Sequence, residues 1–170
     1  MPVETQDGPF AGYAPPGERP PLASFAAFTG IFNAGFGAAL VAAARRQRLP
    51  EKVGPGDVAL IGVASHKLSR LIAKDKVTAF VRAPFTEYEG TAGPGELEES
   101  VRGRGLRRAI GELIACPYCL GLWVSAGMHV GLIYAPRTTR VLASTFTALT
   151  ISDFLQIAYK AAEDRGLGGS

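Results

Sequence analysis

The sequence predicts an all-α integral membrane protein with about three transmembrane helices and one cytoplasmic amphipathic helix. Three observations carry that prediction. Residues 22–44 contain no charge, residues 113–135 contain none with neutral His, and residues 141–159 contain only Asp153. A bilayer core takes about 20 apolar residues in a helix, so each stretch approaches or exceeds the length of a span. The 170 residues suit one domain or one compact membrane unit. Charged residues are only 19 %, the net charge is +3 and there are two Cys. That composition excludes a fully disordered chain and a disulfide scaffold, and it gives no ground for a nucleic-acid partner.

Taken in order, residues 1–21 hold Pro2, Pro9, Pro15, Pro16, Pro20 and Pro21 without apolar periodicity. They read as a disordered tail. Glu4, Asp7 and Glu18, with no basic cluster ahead of the first apolar run, argue against a secretory signal. The first span, 22–44, stops at Arg45, Arg46, Arg48 and Lys52. Ala26, Gly30, Ala34, Ala38 and Ala42 fall four apart on one face of it, where another helix can approach closely.

Residues 55–162 form the main membrane domain. Within it, 57–81 reads as an amphipathic helix at the membrane surface. His66, Arg70 and Lys74 make one stripe, while Leu60, Val63, Ala64, Leu68, Leu71 and Ile72 make the apolar face. Crossing the bilayer there would bury Lys67 and Arg70, the costlier alternative. Gly90, Gly93-Pro94-Gly95, Gly103 and Gly105 mark 82–105 as loop, with Glu96, Glu98 and Glu99 as a solvated acidic patch. Residues 113–159 read as a transmembrane hairpin closed at Pro136, with Gly127 and Gly131 as a helix-contact step, and 163–170 as a flexible end. With three spans, most Lys and Arg fall on one side and only Arg19, Arg137 and Arg140 on the other. That places the N-terminus outside and the C-terminus in the cytoplasm.

Few residues suggest chemistry. Cys116-Pro117-Tyr118-Cys119 has the letters of a glutaredoxin active site but lacks the βαβ surroundings of one. Two thiols at this spacing can pack, close a disulfide or supply two metal ligands. A zinc site wants four ligands, so zinc or iron would have to be shared between subunits. Asp153 is costly within a span and is expected to pair with Lys67 or Arg70, or to bond locally to Thr150 or Ser152. His129 reads as a packed polar residue. His66, Lys74, Arg82, Arg107 and Arg108 are candidate contacts for anionic lipid head groups, although ordinary positive-inside anchoring explains the same charges. No Walker motif, serine-hydrolase elbow or HExxH is present, and no catalytic residue is assigned.

The strings HKLSRLIAKDKVTAFVRAPFTEYEG, GELEESVRGRGLRRAIGELIACPYCLGLWVS and ISDFLQIAYK resemble a bacterial membrane family catalogued as domain of unknown function thirteen-sixty. Some of its members are labelled sporulation-related. The resemblance covers roughly 58–159 and implies a small multi-span protein. It implies that Arg70, Lys74, Asp75, Arg82, Pro84, Phe85, Cys116, Pro117, Cys119, Trp123, Ser152 and Asp153 occupy the family's motif positions. It supplies no catalytic activity. The expected function is therefore non-enzymatic assembly or interaction in the membrane, with a cytoplasmic surface built from 65–119. The expected partners are membrane lipid and either a second copy or another membrane protein. A thiol or metal protein and an anionic-lipid-handling protein are the alternatives.

Overall fold

The computed structural model describes residues 10–15 and 20–167; the rest of the expected N-terminal tail, and the end of the C-terminal one, lie outside the described residues. The elements are α1 (Leu22–Arg45), α2 (Pro55–Lys74), a 3₁₀ turn (Lys76–Thr78), a one-turn α3 (Ala79–Arg82), β1 (Thr86–Gly93), β2 (Glu96–Val101), α4 (Gly105–Ala115), α5 (Pro117–Tyr134) and α6 (Pro136–Leu167). The chain is mostly helical, with one small antiparallel sheet. Two described helices, α1 and α6, are long and apolar enough to cross a membrane, and a third if α4 and α5 count as one broken span.

Local chemistry sets the boundaries. Pro55, Pro117 and Pro136 open α2, α5 and α6, where the missing N–H costs nothing and the ring presets φ. Two crossed hydrogen bonds close α1, from Gln47 N to Ala44 O at 3.0 Å and from Arg48 N to Ala43 O at 2.9 Å. They put Gln47 in the left-handed region at φ 54°. Asp75 ends α2 in an extended conformation, and its carboxylate accepts the Val77 N–H at 3.1 Å to start the 3₁₀ turn.

The helix expected over 57–81 is α2, which starts at Pro55. It ends at Lys74 and packs along α5 and α6 for its whole length. Against α6, its contacts run from Asp57–Arg140 through Leu60 O–Thr147 to Lys67–Asp153, so the two helices run in the same direction. Ser65 lies beside Met128 and Ser69 faces Gly121, so α5 runs the opposite way. Small residues permit this closeness: Ala64, Ser65, Ser69 and Ala73 are all buried. The amphipathic element that does turn away from the bundle is α4, bent 79° from α5 at Cys116.

Helices α5 and α6 are joined through Ala135 alone. A Cβ on Gly131 would lie 2.7 Å from Thr139 Oγ1, so that glycine is spent on this hairpin, whereas Gly127 faces open space. Helix α1 runs parallel to α5. Phe32 meets Trp123 edge-on at 5.1 Å, and the Tyr134 hydroxyl donates to Ala39 O at 2.9 Å. Its ladder of Ala26, Gly30, Ala34 and Ala38 points outward and is exposed.

These directions place the start of α1 and the end of α6 at one end of the bundle. The helical stretch of α6 also runs on through 163–167, where a flexible end was expected.

The expected loop 82–105 is a folded cap. Strands β1 and β2 pair from Thr86↔Val101 to Gly93↔Glu96, with bulges near Tyr88 and Thr91. Pro94-Gly95 makes the turn, with Gly95 at φ +80° as the third position of such a turn requires. The all-α expectation is corrected by this hairpin.

Candidate functional site

Two neighbouring sites occupy the cap end of the bundle. The first is a ladder of ion pairs. Arg70 grips Glu96 bidentately at 2.6 and 2.7 Å, Lys74 lies 3.9 Å from Glu98, and Arg82 pairs with Glu99. The register follows from geometry. Four residues of helix rise about 6 Å and two residues of strand about 6.6 Å, so Arg70 and Lys74 on α2 match Glu96 and Glu98 on β2. The acidic patch is therefore the partner of the basic stripe, and not an independent solvated face.

Arg82 is 0 % exposed. Besides Glu99, its guanidinium donates to Ile72 O at 2.7 Å, Thr78 Oγ1 at 3.0 Å and Asp75 O at 3.1 Å. Thr86 bridges Arg82 O and Glu99 Oε1. Arg82 thus ties α2, the 3₁₀ turn and the hairpin together, which removes it from the candidate lipid contacts: a fully enclosed guanidinium cannot reach a head group. Arg107 donates twice to Pro84 O, at 3.0 and 2.6 Å, and Arg108 meets Glu112 at 2.8 Å. His66 is exposed. Lys67, not Arg70, holds Asp153, at 2.6 Å. His129 Nδ1 bonds Ser125 O at 2.8 Å within its own helix.

The second site is the thiol pair at the α4–α5 bend. Cys116 is extended and caps α5, its Sγ accepting the Cys119 backbone N–H at 3.2 Å. Both thiols are free and their sulfurs lie 2.7 Å apart. They open on a cavity of about 600 Å³ between α1 and the bend, lined also by Phe25, Phe28, Phe32, Glu112 and Trp123. Among the described residues no group of three or more His, Cys, Asp or Glu side chains is arranged to hold a metal ion. Cys116 and Cys119 would supply two ligands, and the others would have to come from a second subunit.

Of the sequence-predicted residues, the structure gathers Arg70, Lys74, Arg82, Arg107 and Arg108 at the cap and sets Cys116 and Cys119 beside it. Ala26, Gly30, Ala34, Ala38, Gly127 and Gly131 lie away from both sites. Glu96, Glu98, Glu99 and Thr86 were missed as partners. Their signal was the strand alternation of Leu97, Glu99 and Val101, which all turn inward while Glu98 and Ser100 turn out.

A family model described as Protein of unknown function (DUF1360) matches residues 60–159, which contain the cap, the thiol pair and most of the bundle. Sporulation protein YjcA of Bacillus subtilis (strain 168) is 35 % identical over 88 residues, covering 50 % of this chain and 75 % of that protein. UPF0713 protein YngL of the same organism is 31 % identical over 77 residues, covering 44 % of this chain and 56 % of that one. No solved structure matches significantly.

Proposed function

Because the chain belongs to the DUF1360 family, whose function is unknown, we propose its role from its own geometry: a membrane-embedded assembly protein that holds a rigid folded cap at one membrane face. The observation that carries this is the ion-pair ladder clamping the hairpin to α2 through Arg70–Glu96, Lys74–Glu98 and Arg82–Glu99. A hairpin this short is marginal alone, and the clamp gives it a fixed position relative to the bundle. The relative named for sporulation supplies a process and no reaction. Partners dock on the outer side of the hairpin, and a second copy packs on the exposed small face of α1.

In this arrangement α1, α2, α5 and α6 all traverse the bilayer. The pair Lys67–Asp153 lies toward the cap side, and α4 lies along the surface. Large apolar side chains on α6 face outward, with Phe154 66 % exposed, as lipid solvation favours. The start of α1 and the end of α6 share the cap side. That side carries Lys74, Lys76, Arg102, Arg104, Arg107, Arg108, Lys160 and Arg165, against Arg45, Arg46, Arg48, Lys52, Arg137 and Arg140 opposite. The basic majority supports a cytoplasmic cap.

Charge reversal tests the clamp. Arg70→Glu should abolish complementation of a deletion strain while the protein still inserts, and adding Glu96→Arg should restore it. Full activity of Arg70→Glu would overturn the clamp as the functional element. Gly30→Leu should lower the oligomer size in detergent, and an unchanged size would remove self-association through α1. A membrane-impermeant maleimide should reach Cys119 only in inside-out vesicles; labelling in intact cells would reverse the orientation.

A further inference from the structure

The cavity at the bend joins a reactive pair to an apolar chamber. Cys116 and Cys119 both open onto it, and Phe25, Phe28, Phe32 and Trp123 supply aromatic walls. The Cys116 sulfur sits at the start of α5 and accepts both the Cys119 N–H and the Cys119 thiol. The second sulfur is 2.7 Å away, so the pair closes into a disulfide with little backbone movement.

Two thiols that form a disulfide release two electrons and two protons. Within reach of bilayer lipid, the chemical class that accepts both and fits an apolar chamber is a quinone. The aromatic walls suit a flat ring better than an acyl chain, which needs no particular wall chemistry. Asn33 also lines the cavity. Its amide donates one N–H to Thr29 O at 2.8 Å and has a second N–H to offer a ring carbonyl.

We propose that Cys116 and Cys119 form a dithiol–disulfide centre that passes two electrons to a membrane quinone bound in this cavity. The Cys116 sulfur, giving up its proton, adds to a quinone ring carbon. Cys119 then attacks Cys116 Sγ; the S–S bond forms as the S–C bond breaks, and the electron pair stays on the ring. The two protons lost by the thiols complete the quinol. A thiol donor returns the disulfide to the dithiol by thiol–disulfide exchange.

The test uses the full chain, reduced, freed of reductant and reconstituted in nanodiscs under anaerobic conditions. Decylubiquinone is added, free thiols are counted by maleimide gel shift, and quinol is followed by absorbance. The expected result is two thiols lost per quinol formed, with quinol production abolished in Cys116→Ser and in Cys119→Ser. Thr29→Trp, which fills the cavity from α1, should slow oxidation by quinone at least tenfold and leave oxidation by the soluble oxidant diamide unchanged. Thiols that diamide closes but quinone leaves reduced would overturn the proposal. So would a stable quinone adduct on one thiol, or equal quinone rates in Thr29→Trp and the natural protein.

Discussion

Arg82 meets a carboxylate, a hydroxyl and two backbone carbonyls while fully enclosed, and Glu99 beside it is only 7 % exposed. Removing one partner of such a pair strands the other, at about 3–5 kcal/mol. Arg82→Met should therefore lower the thermal unfolding temperature in detergent and open residues 83–104 to protease. Arg82→Lys should rescue little, because an ammonium cannot reach all four acceptors in the same planar arrangement. Lys67–Asp153 is a different case, with side chains 18 % and 46 % exposed. Losing either partner should cost about 1 kcal/mol, in line with polar contacts between membrane helices. The swapped pair Lys67→Asp with Asp153→Lys should recover most of it in a thermal-shift assay. At this scale the sequence exposed Lys67 as a partner for Asp153, since a carboxylate in a span demands a cation. It did not expose Arg82, because nothing local distinguishes an enclosed arginine from a surface one until Glu99 is folded against it.

At the scale of the element, glycines separate two kinds of contact that spacing alone had merged. Gly131 and Gly127 form one small-residue step, yet only Gly131 meets a neighbour, Thr139 on α6. Gly131→Ala should destabilise the hairpin of α5 and α6 by about 1–3 kcal/mol through overpacking, and Gly127→Ala should leave it unchanged; thermal unfolding distinguishes them. The α1 terminus offers the opposite test. Gln47 sits at φ 54°, where glycine carries no Cβ penalty, so Gln47→Gly should raise stability by about 1 kcal/mol. Apolar length made α1 and the hairpin of α5 and α6 legible in the sequence. The β-hairpin was not: its strands are acidic, and the partners of their carboxylates, Arg70 and Lys74 on α2 and Arg82 on α3, are distant in sequence. The packing of helix α2 was hidden for a related reason. Its basic stripe resembles that of a surface helix, but Arg70 and Lys74 in it are neutralised by Glu96 and Glu98 of β2, and Lys67 beside it by Asp153 of α6.

For the whole molecule, the directions of the helices support the proposed four-span arrangement. Basic residues alone favour three spans with the termini apart, whereas the packing of α2 between α5 and α6 puts the start of α1 and the end of α6 at one end of the bundle, as the proposed arrangement has it. Reporter fusions at the N- and C-termini should accordingly report the same compartment. The helices that share this bundle are unequal. Helix α1 has 24 residues and α5 only 18, or about 36 Å against about 27 Å at 1.5 Å per residue. A hydrocarbon core of about 30 Å is thicker than α5, and α4 turns aside at Cys116 instead of prolonging it. Short-chain bilayers should match α5 and raise the unfolding temperature, while long-chain bilayers should force local thinning around the thiol pair. In the proposed four-span arrangement, a cell with membranes of different thickness would then concentrate this protein in the thinner ones, sorted by the length of α5.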